Sequence, residues 1–264
     1  MDYRQQEDVV RLQGTLRARQ VAIMGCLGLL IALGATGIVN ARTAAGSPAY
    51  VQLVFSASAE ECKARLKRVL GKRQPGQSAR CLRNVSDQAG QPPAAAKLQP
   101  YMLEVIGQGA SVPQPDEALA ADTVTFRALG NAQVTDNAKR ADHQPVGTGA
   151  VGSYRMYVFT NPVAGQDATY NDWYDRQHVP DVLKVPGFVA GQRFAMVDPE
   201  QHNPVKLPRY LALFDLQSRG LAATDAEILA RGRDGRTVGS PSFDLKSGVV
   251  AYMVADAAPP DAKR

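Results

Sequence analysis

Tyr170, Tyr174 and His178 recur at every fourth residue. On a helix of about 3.6 residues per turn this spacing stacks them along one stripe, bordered by Trp173 and Gln177. Pro180 has no backbone N–H and disfavours helix at Val179, so the helix is expected to end or kink near His178. The imidazole would then stand at an element terminus. A neutral imidazole there could take a proton from an acidic carbon or phenol and return it, with Asp175 or Asp181 orienting its second nitrogen. Tyr170, Trp173 and Tyr174 would stack on an aromatic substrate, and Arg193 could hold an anionic group on it. The candidate set is therefore His178 and Asp181 for acid–base work, and Tyr170, Trp173, Tyr174 and Arg193 for ligand contact. A plainer reading stands beside it. The aromatic residues could be a helix face packed on its sheet, His178 a cap on the helix dipole, and Arg193 a solvated or paired strand arginine.

The elements needed to position this stripe can be read from periodicity. Tyr154–Thr160 alternates as a strand, and Asp167 to about His178 is a helix. Phe188–Val197 and Arg209–Leu216 are strands, Thr224–Glu227 is a capping box for a short helix ending at Gly232, and Val249–Val254 is the last strand. This β-α-β-β-α-β order is the split βαβ, ferredoxin-like arrangement. Tyr154, Met156 and Val158 alternate with Arg155, Tyr157 and Phe159, so both faces of the first strand are largely apolar. A second sheet is expected to cover the outer one. The first half supplies a weaker version of the same order. It comprises a strand at Ala49–Phe55, a helix capped by Ser58 and Glu61 that runs to about Leu70, strands at Arg80–Val85 and Tyr101–Ile106, helical turns at Asp116–Ala121 and a strand at Thr123–Leu129.

Ahead of these units, residues 21–39 contain no charge and as a helix would be about 28 Å long, close to the hydrocarbon thickness of a bilayer. The direct reading is a single membrane anchor over about 21–41, and the alternative is a cleaved signal peptide. Arg4, Arg11, Arg17 and Arg19 precede the run, whereas Arg42 alone follows closely, so residues 1–20 are expected in the cytoplasm and the globular part outside. The expected organisation is then a ferredoxin-like unit at 47–130, a turn-rich linker at 131–152, a second unit at 153–256 and a tail at 257–264. The fold class is α+β, with antiparallel sheets packed as an α/β barrel.

Composition narrows the function. With 264 residues, 45% of them apolar and 21% charged, the chain can bury a core. Three histidines in no zinc spacing suggest no metal, and no cofactor motif is present. Gly147-Thr-Gly149-Ala-Val-Gly152 has the letters of a dinucleotide fingerprint but precedes a strand, whereas phosphate binding needs those glycines at a helix start. Of the net charge of +5, the bases between Lys63 and Arg83 carry more than the whole. A solvated helix face or a contact with an envelope surface fits this run better than nucleic acid, since nothing resembles a base-reading module. Cys62 and Cys81 face the core from a neighbouring helix and strand, which in an exported domain allows a disulfide, two buried thiols being the alternative.

The string from Thr160 to Phe188, with Trp173-Tyr174, His178, Pro180-Asp181 and Pro186-Gly187-Phe188, followed by Gln192-Arg193-Phe194 and Pro208–Phe214, resembles the EthD-like branch of the dimeric α/β-barrel superfamily. The resemblance covers residues 153–256. It implies two ferredoxin-like units packed sheet to sheet, within one chain or between two copies in a homo-oligomer. It also implies a small hydrophobic or aromatic ligand and isomerase-, cyclase- or dehydratase-like chemistry through one histidine. A non-catalytic envelope binding or assembly module that keeps the fold is the competing expectation.

Overall fold

The computed structural model describes residues 47–90, 98–109, 111–135, 143–200 and 203–256. The apolar run at 21–39, Cys26, His202 and the tail at 257–264 lie outside them. Among the described residues no helix is long and apolar enough to cross a membrane.

The first unit consists of β1 (Tyr50–Ser56), α1 (Ala59–Gly71), β2 (Gln77–Asn84), β3 (Tyr101–Gly107), α2 (Glu117–Ala120) and β4 (Thr123–Ala128). Its antiparallel order is β4-β1-β3-β2. Ser58 starts α1 by accepting the Glu61 N–H at 3.2 Å, and the Glu61 carboxylate reaches back to the Ala57 N–H at 2.7 Å. This reciprocal cap fixes the helix over the sheet, where a disulfide joins Cys62 to Cys81 of β2 across a Cα–Cα distance of 6.0 Å. The bases of this region are largely engaged: Lys63 pairs with Asp256, Arg65 with Glu61 and Asp122, and Lys72 with Asp116.

A short strand, β5 (Gln133–Val134), interrupts the expected linker and pairs with the second unit. That unit contains β6 (Gly152–Pro162), α3 (Asp167–Trp173), a π-helical turn (Tyr174–His178), α4 (Val179–Val182), β7 (Phe188–Met196), β8 (Tyr210–Ser218), α5 (Leu221–Arg233) and β9 (Phe243–Ala255). The strand order β9-β6-β8-β7 repeats that of the first unit, and both are ferredoxin-like.

The two sheets join at both edges. Leu82–Asn84 of β2 pair with Met253–Ala255 of β9, and Phe126–Ala128 of β4 pair with Phe194–Met196 of β7. Eight strands thereby close into one barrel within a single chain, leaving neither sheet an open edge at these seams. Strand alternation then sorts the side chains. Leu53, Phe126, Tyr157, Phe159, Phe194 and Leu211 fill the interior, while Met156, Tyr252 and Phe214 lie outside it, under the helices of the second unit. The two apolar faces of β6 are explained by these two cores.

Two expectations require correction. Of the end or kink expected near His178, the helix shows no end: it widens into a π turn over Tyr174–His178 and continues to Val182. Nor does Thr224–Glu227 cap α5, which begins at Leu221 after Gly220. Leu221 is buried, the Thr224 hydroxyl is hydrogen-bonded to Ser218 at 2.8 Å, and Asp225 accepts from the Tyr252 hydroxyl at 3.0 Å. Tertiary partners therefore take the side chains that would have formed the cap.

Candidate functional site

Pro180 shapes the site. In a continuous α-helix residue 180 would donate to the Arg176 carbonyl, which proline cannot do. Widening by one residue instead lets the Val179 N–H reach the Tyr174 carbonyl. Such π turns are frequent at functional sites. This one sets His178 against Trp173 and Tyr174, with ring centroids 4.6 and 4.8 Å away, the tyrosine edge-on. The imidazole Nδ1 is buried and has no hydrogen-bond partner. Burial pulls its pKa down to about 4, the Arg193 charge adds to that effect, and Asp181 opposes it. His178 is therefore neutral at pH 7, with an unspent hydrogen-bonding nitrogen in an aromatic surround.

The other candidates have defined places. Asp181, 2% exposed, accepts from Gln177 Nε2 at 2.6 Å, Lys184 Nζ at 2.8 Å and the Val238 N–H at 3.2 Å. Its hydrogen bonds thus go elsewhere than the imidazole it was expected to orient. The Trp173 indole N–H donates to the Val238 carbonyl at 2.9 Å, so one residue of the α5–β9 connection is held by two members of the candidate set. Tyr170 and Tyr174 are fully buried in the helix–sheet core, and the Tyr170 hydroxyl lies 2.5 Å from that of Thr160. Arg193 lies over the Tyr174 ring at 4.4 Å and donates at 2.8 Å to both the Asp175 carboxylate and Asn171 Oδ1. It ties β7 to α3, and the open anion contact expected of it is taken by Asp175. His178, Trp173, Tyr174 and Asp181 form one corner, and Tyr170 and Arg193 its packed floor.

A polar cluster not foreseen from the sequence joins the two sheets of the barrel. Glu104 of β3 is 1% exposed and accepts from Arg80 Nε at 2.8 Å, from Arg155 at 2.5 Å and from the Tyr157 hydroxyl. Arg155 also donates to Asp215 at 2.7 Å. Burial alone would raise the Glu104 pKa, but Arg155 and Arg80 outweigh it and hold the carboxylate ionised. Burial and the neighbouring Glu104 push the Tyr157 phenol far above its usual range. The signal was a lone glutamate in the apolar run Tyr-Met-Leu-Glu-Val-Ile and an arginine on an inward-facing position of β6.

Cavities of about 190 and 450 Å3 lie on either side of the Pro113–Pro115 strap of the first unit. A third, of about 210 Å3, is bounded by Gln133, Asp175 and Arg193 beside the corner. His178 is in the lining of none of these three. Among the described residues no group of three or more His, Cys, Asp or Glu side chains could hold a metal ion.

No family model and no curated protein matches the chain. Solved structures similar to it include a major regulator of staphylococcal pathogenesis, with 6% identity over 78% of this chain and 99% of that one and a TM-score of 0.45. A heme-degrading enzyme from Listeria monocytogenes shows 9% identity over 78% of this chain and 99% of that one, with a TM-score of 0.41. A ferredoxin-fold protein from the same organism, related to antibiotic biosynthesis monooxygenases, shows 8% identity over 80% and 96%, with a TM-score of 0.39. These likenesses are too distant to assign chemistry. The closed barrel of two ferredoxin-like units rests on the strand order of this chain itself.

Proposed function

We propose that the chain is a membrane-anchored, exported α/β barrel that binds a small aromatic molecule at the corner formed by Trp173, Tyr174, His178 and Asp181. The observation that carries the reading is the orphaned Nδ1 of His178 among aromatic rings. An unmet buried hydrogen-bonding group costs about 1–3 kcal/mol, and a ligand hydroxyl placed there would remove that cost. The residues that carry the EthD-like resemblance are the ones that build this corner. The Cys62–Cys81 disulfide supports placement in an oxidising compartment, beyond an anchor at 21–39 with a cytoplasmic amino terminus.

Within this reading, binding is better supported than isomerase-, cyclase- or dehydratase-like turnover. With a pKa of about 4 the imidazole is a poor proton carrier at neutral pH, and Asp181 is spent on Gln177, Lys184 and Val238. Retention of the fold without acid–base work matches the non-catalytic module expected as the alternative.

Titration calorimetry of the full chain with 2-naphthol tests the proposal, because this probe carries an aromatic body and one hydroxyl. Saturable binding is expected, weakened at least about tenfold in His178→Ala, the loss of a hydrogen bond into a buried site. Equal affinity in the two proteins would show that the ligand, if bound, lies elsewhere.

A further inference from the structure

The α5–β9 connection passes over the candidate corner and is fastened to it by one residue. Val238 donates its N–H to Asp181 at 3.2 Å and accepts the Trp173 indole N–H on its carbonyl at 2.9 Å. The segments on either side of Val238 have anchors of their own. Arg236 pairs with Glu227 at 2.9 Å and Asp234 at 2.6 Å, and the Ser242 carbonyl accepts the Val163 N–H at 2.8 Å. In the same corner the His178 ring stacks on Trp173 at 4.6 Å, and its Nδ1 is a buried polar atom without a partner, as is Nε of Arg193 beneath it. Opening the strap would vacate one acceptor position on Asp181 Oδ2, which keeps its bond from Gln177, and free the donor on Trp173, beside the unspent Nδ1.

Resting on the ligand-binding reading above, we infer that the strap at 236–239 is a lid whose Val238 backbone occupies the place of the ligand's polar head, and that this head is an aromatic vicinal diol of the catechol type. The donor N and acceptor O of one residue are separated by two carbons, N–Cα–C=O. Two hydroxyls on adjacent ring carbons reproduce that relation. One O–H donates to Asp181, and the other oxygen accepts from the Trp173 indole. The second hydroxyl still has a proton to give, and Nδ1 of His178 is the group left to take it. An α-hydroxyketone matches the first two contacts but has no proton for the third. The ring would displace the Val238 side chain, 36% exposed, and lie against Trp173 and Phe243, whose own centroids are 5.9 Å apart.

The test compares 2,3-dihydroxynaphthalene with 2-naphthol on the full chain, two probes that differ by one oxygen. The diol is expected to bind at least about tenfold more tightly, each added hydrogen bond into a buried site being worth about that factor. Hydrogen exchange at the Val238 amide supplies a readout that ordinary binding would not give. Saturation with the diol should speed exchange there, because the lid is displaced, whereas a ligand bound on top of a closed strap would slow it. Val238→Pro removes the N–H that holds Asp181, favours the open form and should lower Kd for the diol severalfold. Equal affinities for the two probes, or protection of the Val238 amide, overturn the lid and the diol while leaving the aromatic site standing. Failure of both probes to bind overturns the site reading itself. The exchange measurement uses the unaltered chain and stands even where Val238→Pro does not fold.

Discussion

At the scale of single residues, His178 is defined by what it lacks. Its Nδ1 has no partner, and burial keeps the ring neutral down to about pH 4. Above pH 6.5 the imidazole is neutral in both folded and unfolded chains. Between 6.5 and about 4 the unfolded chain takes up a proton that the folded one refuses, so stability falls as pH drops through this window. At about 1.4 kcal/mol per pH unit the interval amounts to about 3 kcal/mol. Urea denaturation at pH 7 and pH 4.5 should therefore show a smaller acid loss in His178→Asn than in the unaltered protein, and equal losses would mean the ring is not held neutral. That Tyr170, Tyr174 and His178 line up in contact was legible from their spacing. The environment of His178 was not, because the π turn made by Pro180 depends on which carbonyl the displaced N–H groups can reach. Arg193 could be read as a ligand contact or, more readily, as a solvated or paired strand arginine, and it is paired with Asp175 on the helix facing it.

At the scale of elements, periodicity located the strands and helices because each has one or two faces to bury. The cap at Ser58 was visible for the same local reason, whereas Thr224–Glu227 looked like a cap and was overruled by Ser218 and Tyr252, residues far from the reading window. Contacts between strands distant in sequence were the least legible. Glu104 and Arg155 lie 51 residues apart, and they meet only because β2 pairs with β9 to bring the two sheets together. Their pairing makes a firm demand on stability. In Arg155→Met the Glu104 carboxylate would keep Arg80 and Tyr157 but lose its closest cation. Removing one partner of a buried pair costs about 3–5 kcal/mol. Thermal denaturation should show a loss of that order, and a loss under about 1 kcal/mol would mean that solvent reaches the cluster.

At the scale of the whole molecule, two weakly similar halves make one barrel. The sequence suggested that a second sheet must cover β6 but left open whether it came from this chain or another, since an apolar face records only that it is covered. The seams β2–β9 and β4–β7 supply the answer from within the chain. The proposed placement of that barrel outside the membrane makes a covalent prediction. Of the three cysteines, Cys62 and Cys81 are joined, so denatured and unreduced chain isolated from its native compartment should alkylate at Cys26 alone, and at all three after reduction. Alkylation of Cys62 and Cys81 before reduction would place the barrel in a reducing compartment.

Ligand binding at the corner around His178 would give its Nδ1 the partner it lacks. The most direct measurement is the nitrogen NMR spectrum of the full chain, labelled at histidine, during a titration with 2-naphthol. A progressive shift of the His178 Nδ1 resonance to saturation is expected as that nitrogen gains a partner, with His143 and His202 unmoved. A His178 Nδ1 resonance that stays fixed while calorimetry reports saturation would contradict binding at this corner.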